Sequence, residues 1–259
     1  MGQRESQPGG LTDEQFATYQ QDGYVVETVL SADEITAARE RLQAYTAGDR
    51  DPGGISMQVE PRVERGETEA DSEAGKYRKL SGVVEHDDLF YELATKDAIV
   101  GPVTQLLGPD LKLFRSAVLM KPPQIGSEKG AHQDAPYWPI QPQDECSVWI
   151  PLDRATPENG CMQVIPGGHK RGPLPHVSVQ DDYVIDEDHY EREDLEPLPM
   201  EAGAGLFFHA LLPHYTRPND TDRWRRAVVF SYMSARSRPT EGDEAEYLQI
   251  AGRSFPGCV

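Results

Sequence analysis

KLFRSAVLM, residues 112–120, is the first of several short segments with the composition of a β-strand. Four more follow, and turn-forming residues separate them; they are residues 146–152, 162–165, 205–209 and 227–233. Upstream of this series the pattern is helical. Helices followed by a run of short strands predict a mainly β protein with flanking helices, arranged as an antiparallel barrel or jelly roll.

Two capping boxes predict helices in the N-terminal part. In TDEQ (residues 12–15) and SADE (residues 31–34), a hydroxyl and a later side chain can each satisfy a free backbone amide of the first helical turn. The second helix is expected to reach Tyr45, and a short strand is expected between the two, opening at Gly23. Two more expectations are a strand at residues 55–59 and helical spacing over residues 89–107 that breaks at Pro102.

Length and composition favour one domain covering residues 1–259. Apolar residues make up 37% of the chain, enough to bury a core, while 23 Gly and 21 Pro favour turns over long helices. Residues 1–10 are expected to form a disordered polar leader. Residues 180–197 contain nine acidic residues and one arginine, so a surface loop or lid is expected there.

The net charge of -19 would repel phosphate backbones and anionic membranes, so neither nucleic acid nor a membrane is an expected partner. The partner expected is a small-molecule substrate. Cys146, Cys161 and Cys258 form neither a C-x-x-C pair nor an even set, so a disulfide framework and a thiolate zinc site are not indicated. Without an apolar signal segment, a cytoplasmic location is expected.

The triplet His132-Gln133-Asp134 is the first candidate for chemistry. On an extended strand, residues two apart project to the same face, so the imidazole and the carboxylate can bind one cation. Two histidines and one carboxylate on one face leave three coordination positions open, which is the signature of non-heme iron oxygenases. Taken alone, the triplet is weak evidence, because such a triplet more often marks a polar turn or a satisfied surface pair.

His214 is the choice for the second histidine because it follows the apolar run of residues 205–208. Eleven residues later, Arg225 enters another β-type run, and a guanidinium fits a bidentate carboxylate such as the distal end of 2-oxoglutarate. His209 is the main competitor as a ligand. His169, in the sequence PGGH, is expected to be a turn histidine.

Several blocks of the chain resemble one known family. The blocks are residues 11–15 and 22–24, Lys79-Leu80, residues 88–90, KPP at 121–123, HQD at 132–134, Trp149, ENGC at 158–161, IPGGHK at 165–170, HYTRPN at 214–219, and Arg225. Over residues 11–235 they resemble the phytanoyl-CoA dioxygenase family. Gly168 departs from the family pattern, which has a hydroxyl residue at that position.

The resemblance implies a double-stranded β-helix of the jelly-roll or cupin-like type, with His132, Asp134 and His214 as ligands to iron(II). It implies 2-oxoglutarate as cosubstrate and O₂ as oxidant, with Arg225 pairing with the 5-carboxylate and the Thr216 hydroxyl assisting. Three further positions match residues that line the cosubstrate pocket in relatives: Lys79, Gln133 and Trp149. Arg226 is the rival of Arg225, because neighbouring strand residues face opposite ways.

Candidate substrate contacts are Tyr137 and Trp138, which follow the triplet, and Asn219. The two aromatic residues could wall the substrate pocket or simply belong to the core.

The predicted reaction is hydroxylation of an unactivated carbon of a small organic substrate, with decarboxylation of 2-oxoglutarate to succinate and CO₂. Related halogenases have a small residue where this chain has Asp134, so hydroxylation is favoured over chlorination. The alternatives are a metal-dependent hydrolase or isomerase on a cupin-like barrel, using zinc or manganese, and a catalytically silent binding module. Arg225 argues against the hydrolase, which does not need it, and a silent binding module would form no succinate with any substrate.

Overall fold

The computed structural model describes residues 9–143, 145–180, 182–240 and 247–259. Most of the expected leader, residues 1–8, lies outside the described residues. The helices are α1 (Asp13–Asp22), α2 (Ala32–Ala47), α3 (Pro61–Glu64), α4 (Val83–His86), α5 (Asp88–Ala94) and α6 (Asp97–Leu107). The strands are β1 (Tyr24–Thr28), β2 (Ser56–Val59), β3 (Tyr77–Ser81), β4 (Leu111–Lys121), β5 (Lys129–His132), β6 (Ile140–Gln141), β7 (Cys146–Pro151), β8 (Met162–Val164), β9 (His176–Val179), β10 (Asp182–Ile185), β11 (Glu196–Leu198), β12 (Ala204–His209), β13 (His214–Thr216), β14 (Arg225–Ser234), β15 (Arg238–Pro239) and β16 (Leu248–Ala251).

The two predicted capping boxes open α1 and α2. The Thr12 hydroxyl accepts from the Gln15 amide at 3.2 Å, and the Gln15 side chain accepts from the Thr12 amide at 2.7 Å. Ser31 and Glu34 repeat the arrangement at the start of α2. The second helix ends at Ala47, two residues later than expected.

The predicted helix break at Pro102 is wrong. Pro102 lies inside α6 and is buried between Ile99 and Val103, while the chain leaves helical geometry earlier, at Thr95 and Lys96. A proline inside a helix removes one backbone hydrogen bond. The face of α6 that carries Pro102 is buried against the sheet, and this packing keeps the helix continuous despite the missing hydrogen bond.

Two antiparallel sheets form the jelly roll that the sequence predicted. The larger sheet has the order β1-β12-β7-β14-β4-β3-β2, with β16 also pairing with β4, and the smaller has the order β11-β8-β13-β5. The five segments predicted as strands lie in β4, β7, β8, β12 and β14. None of the helices within the described ranges is both long and apolar enough to cross a bilayer.

One face of the larger sheet packs against the helices. Leu80, Val118 and Phe230 project from β3, β4 and β14 to meet Phe90 of α5 and Ile99 of α6. All five side chains are fully buried.

The opposite face of the larger sheet meets the smaller sheet. Trp149, Leu206 and Val229 pack here against Met162 and Val164 of β8. Side chains that point into this space from either sheet face each other across the barrel interior, and the predicted ligands lie among them.

The acidic segment of residues 180–197 contains more regular structure than a loop or lid. Its residues Asp182–Ile185 form β10, which pairs antiparallel with β9 from Asp182 opposite Val179 to Ile185 opposite His176. At its end, β11 pairs with β8. The run Tyr183-Val184-Ile185 has the β-branched and aromatic composition of a strand, which the count of acidic residues obscured; Asp181 lies outside the described residues.

Candidate metal centre

His132, Asp134 and His214 converge in the barrel interior. One ligand atom from each lies within 4.8 Å of the other two, and all three residues are buried. His214 of β13 is the direct cross-strand partner of His132 of β5, so the two imidazoles lie side by side with ring centroids 4.1 Å apart. Sheet pairing therefore fixes two of the three groups.

Asp134 faces the same point from a turn, although a strand was expected at this position. Strand β5 ends at His132, and Asp134 has helical backbone angles at the start of the 3-10 turn Ala135–Tyr137. The turn nevertheless brings an Asp134 carboxylate oxygen to 3.9 Å from His132 Nε2. The expectation of a continuous strand through the triplet was wrong, although both side chains face the same centre.

Both histidines present Nε2 to the centre. The Nδ1–H of His132 donates to the Gly130 carbonyl at 2.8 Å, and the Nδ1–H of His214 donates to the Leu212 carbonyl at 2.9 Å. Because a carbonyl can only accept, each bond fixes the tautomer and leaves the Nε2 lone pair free. Burial, reinforced by His214, holds the pKa of His132 well below its usual range, and burial also lowers that of His214.

Asp134 is ionised despite its burial. Desolvation alone would raise the pKa of this carboxyl, but the Arg115 charge, the nearby His214 and a hydrogen bond from Ser147 lower it overall. Arg115 Nη2 lies 3.2 Å from one carboxylate oxygen, and the Ser147 hydroxyl donates to the other at 3.0 Å. Ser147 in turn contacts the Ser231 hydroxyl at 2.8 Å. Neutral imidazoles and an ionised carboxylate are the protonation states that a divalent cation requires.

Gln133 points away from this centre. Its amide nitrogen donates to the carbonyls of Gly172 (2.9 Å) and Leu211 (2.7 Å), and its amide oxygen accepts from the Leu174 amide (2.8 Å). The side chain is fully buried and all of these groups are engaged. The structure therefore gives Gln133 a positioning role, tying two loops to the triplet, and does not bring it to a cosubstrate pocket.

Arg225 and Arg226 have different environments. Arg226 faces outward and forms a bidentate ion pair with Asp153, with both nitrogen–oxygen distances 2.8 Å. Arg225 faces the barrel interior, 3% exposed, where Nη1 donates to the Leu119 carbonyl at 3.2 Å. Its Nε has no partner within the described ranges, and burial lowers the pKa of the guanidinium to about 10.

The surroundings of Arg225 fit a carboxylate ligand. Its guanidinium carbon lies 5.7 Å from the centre of the Trp149 ring. Thr216 is buried two residues after His214, and alternation along the strand directs both to the same face. A buried guanidinium with a free donor is costly unless an anion occupies the space beside it.

Lys79 lies on the inner face of β3, opposite Leu119 of β4. Burial, followed by the Arg115 charge, lowers the pKa of its ammonium, while Asp134 acts in the opposite direction. Lys79 therefore lies on the inner surface of the larger sheet, within electrostatic range of Arg115 and Asp134.

The predicted substrate residues separate into three kinds. Tyr137 lies at the rim, 38% exposed, with its ring centroid 5.9 Å from that of His132. Trp138 is buried against Phe114 at 4.4 Å and belongs to a core cluster. The Asn219 side chain is fully buried and donates to the Lys121 carbonyl at 2.9 Å, so it stabilises a loop and does not face the centre.

The competing histidines lie apart from the triad. His209 Nδ1 accepts from the Leu211 amide at 3.0 Å, and its ring packs 5.4 Å from that of His169. His169 lies in the 3-10 turn Gly168–Arg171.

One family model and several known proteins are similar to this chain. The phytanoyl-CoA dioxygenase (PhyH) family model matches residues 19–227. A methylphosphonate hydroxylase of Gimesia maris is 36% identical over 63% of this chain and 60% of its own length. The human peroxisomal phytanoyl-CoA dioxygenase is 28% identical over 94% of this chain and 72% of its own. A probable alpha-ketoglutarate-dependent hypophosphite dioxygenase of Stutzerimonas stutzeri is 27% identical over 95% and 89%.

Solved structures share the fold. The non-heme monooxygenase ThoJ superposes with a TM-score of 0.74 at 24% identity, covering 94% of this chain and 85% of its own. EctD from S. alaskensis, solved with 2-oxoglutarate and 5-hydroxyectoine, gives a TM-score of 0.72 at 22% identity, covering 96% and 86%. Since the family model covers most of the sequence and the triad is assembled, this chain belongs to the phytanoyl-CoA dioxygenase family of iron- and 2-oxoglutarate-dependent oxygenases.

Proposed function

We propose that this protein hydroxylates an unactivated carbon of a small organic substrate, converting 2-oxoglutarate and O₂ into succinate and CO₂. The observation that carries the proposal is the pairing of two features inside one barrel. Two neutral histidines and an ionised aspartate converge at one point, and a buried arginine with a free donor lies on the same inner surface.

The metal ligands in this proposal are His132, Asp134 and His214. Their Nε2 atoms and carboxylate would occupy one face of the ion and leave three positions open, which is the arrangement of iron(II) oxygenases. When bound, iron supplies the activation of O₂ that no side chain can perform. The protein holds the ligands in their metal-binding tautomers and charge states, through Gly130, Leu212 and Arg115.

The cosubstrate site in this proposal is centred on Arg225. Its guanidinium would bind the 5-carboxylate of 2-oxoglutarate through charge-assisted hydrogen bonds, with the Thr216 hydroxyl as a further donor. The Trp149 ring beside Arg225 would form one wall, and Lys79 would line the route from there to the metal. A hydrolase or isomerase that used the same triad would not bind 2-oxoglutarate, so Arg225 would have no carboxylate to pair with.

Two observations bear on the reaction type and the substrate. The Asp134 carboxylate would occupy the coordination position that halide takes in related halogenases, which favours hydroxylation. Two relatives are named for phosphorus compounds, a methylphosphonate hydroxylase and a probable hypophosphite dioxygenase. Small phosphonates are therefore the first candidate substrates, with Tyr137 at the rim as a contact.

Anaerobic titration tests the proposal. Adding iron(II) and then 2-oxoglutarate should produce a visible charge-transfer band, whereas succinate in place of 2-oxoglutarate, as a matched control, should not. Admitting O₂ with a substrate should then form succinate and hydroxylated product in equal amounts. Absence of the band at saturating concentrations, or hydrolysis of a substrate with zinc and without succinate, would reject the proposal.

A further inference from the structure

The backbone amide of Gln133 lies between two of the three metal ligands. Strand β5 ends at His132, opposite the first residue of β13, and Asp134 then starts the 3-10 turn. Gln133 is fully buried at this change from strand to turn. A buried N–H without an acceptor costs about as much as a lost hydrogen bond. Beyond the end of the strand, the acceptor must come from outside the sheet.

His176 supplies this acceptor. Its Nε2 lies 3.1 Å from the Gln133 amide nitrogen, and its Nδ1 lies 2.8 Å from the Leu174 carbonyl oxygen. Because a carbonyl can only accept, the imidazole carries its proton on Nδ1 and presents the Nε2 lone pair to the amide. The neutral ring in this tautomer satisfies both neighbours. Burial lowers the pKa of His176, which favours the neutral form.

The His176 imidazole is held in place on its other sides. The Tyr183 ring packs against it, with the two ring centroids 5.2 Å apart. His176 is also the first residue of β9, which pairs with β10 along its whole length. Just before it, the Gly172 carbonyl and the Leu174 amide bond to the Gln133 side chain. This stretch therefore contacts Gln133 through both its main chain and its side chain.

We propose that His176 is a positioning residue of the metal centre, whose Nε2 fixes the Gln133 amide and thereby the orientation of the two flanking ligands. The inference rests on the function proposed above, because it concerns how that site holds its metal. The peptide unit that donates to His176 also contains the carbonyl carbon of His132. Its orientation therefore sets the backbone from which both His132 and Asp134 project. Groups that orient metal ligands without touching the metal affect metal affinity strongly.

Three substitutions at position 176 separate the acceptor from the ring. His176→Phe keeps a ring against Tyr183 and removes the acceptor, whereas His176→Leu removes both. His176→Gln can return an amide oxygen near the place of Nε2. The matched control is His189→Leu, because His189, in the 3-10 turn Glu187–His189, is no partner of Gln133 within the described ranges.

Two measurements on the full chain test the proposal. Hydrogen exchange of the Gln133 amide, followed by NMR on the metal-free protein, reports the hydrogen bond, and anaerobic titration with iron(II) reports its consequence. In His176→Phe and His176→Leu, exchange should be at least about tenfold faster, and the dissociation constant for iron(II) should rise by about 10- to 100-fold. In His176→Gln and His189→Leu, both quantities should stay within about threefold of wild type.

Rescue by glutamine distinguishes the acceptor from simple packing. If iron binding in His176→Gln is as weak as in His176→Phe, or if none of the three variants changes the iron affinity, the proposal is overturned. Denaturant unfolding checks that each variant is folded. If His176→Phe does not fold, the comparison of His176→Leu with His176→Gln carries the test. If the wild-type protein takes up no iron(II), the function proposed above fails first, whereas normal uptake by every variant defeats this inference alone.

Discussion

Replacing Arg225 with methionine removes the cation that we assign to the 5-carboxylate of 2-oxoglutarate. Methionine keeps a flexible apolar stem in the space beside Trp149, so the main change is the loss of charge and donors. The carboxylate would then be buried without a counter-ion. Leaving a buried charge unpaired costs about 3–5 kcal/mol, and charge-assisted hydrogen bonds contribute about 1.5–3 kcal/mol each.

A loss of this size predicts that the dissociation constant for 2-oxoglutarate rises by about 100- to 4000-fold in Arg225→Met. The same substitution should not destabilise the protein without cosubstrate. In the protein without cosubstrate, the Arg225 residue is 3% exposed, and its Nε has no hydrogen-bond partner within the described part of the chain. Removing a buried cation that lacks a counter-ion is neutral or stabilising.

The adjacent Arg226→Met is the matched control. It breaks the bidentate pair with Asp153, so it should lower the free energy of unfolding by on the order of 1–3 kcal/mol and leave the affinity for 2-oxoglutarate unchanged. Both quantities are measured on iron-loaded protein, by anaerobic titration of the charge-transfer band and by denaturant unfolding. An affinity within about threefold of wild type in Arg225→Met, or a large loss in Arg226→Met, would refute the assignment.

Three further outcomes are expected. Ser147→Ala should weaken iron binding by about 10- to 100-fold because Asp134 loses a hydrogen bond. The control Ser116→Ala, on the helix-facing side of the sheet, should leave iron binding unchanged. Equal iron affinities in the two variants would count against the role assigned to Ser147. Gln133→Leu should lower the free energy of unfolding by about 1–3 kcal/mol, since three partly buried backbone groups lose their partner. An unchanged denaturation midpoint would disprove the positioning role. Burial lowers the pKa of His209 from 6.5 to about 4, so as pH falls below 6.5 the unfolded chain binds a proton that the folded chain does not. This group should therefore lower the free energy of unfolding by about 3 kcal/mol at pH 4. His209→Leu should flatten that part of the stability–pH curve.

Local signals in the sequence were sufficient for much of the fold. The capping boxes at Thr12 and Ser31 predicted α1 and α2 because each box is complete within four residues. The long β-type runs predicted the central strands of the larger sheet, where both faces are buried. The short strand β13 escaped notice, and β5 was expected only as an extended stretch through the triplet, since such short segments become strands only through pairing with distant segments. These two strands carry His132 and His214.

The metal triad and Arg225 were predicted because motif and spacing together singled them out. Arg115 and Ser147, which set the charge and orientation of Asp134, were missed. A serine at an inward position carries no signal of its own. Arg115 did carry one, because a charged residue in the middle of the apolar run of residues 112–120 must find a partner when that strand is buried.

Iron binding tests the central claim most directly. Iron(II) retained per chain after anaerobic gel filtration should be stoichiometric in the wild-type protein and in His209→Ala, because His209 lies outside the triad. It should be lost in His214→Ala, which removes a ligand paired across the sheet from His132. Full iron in His214→Ala, together with loss of iron in His209→Ala, would contradict the metal centre as described.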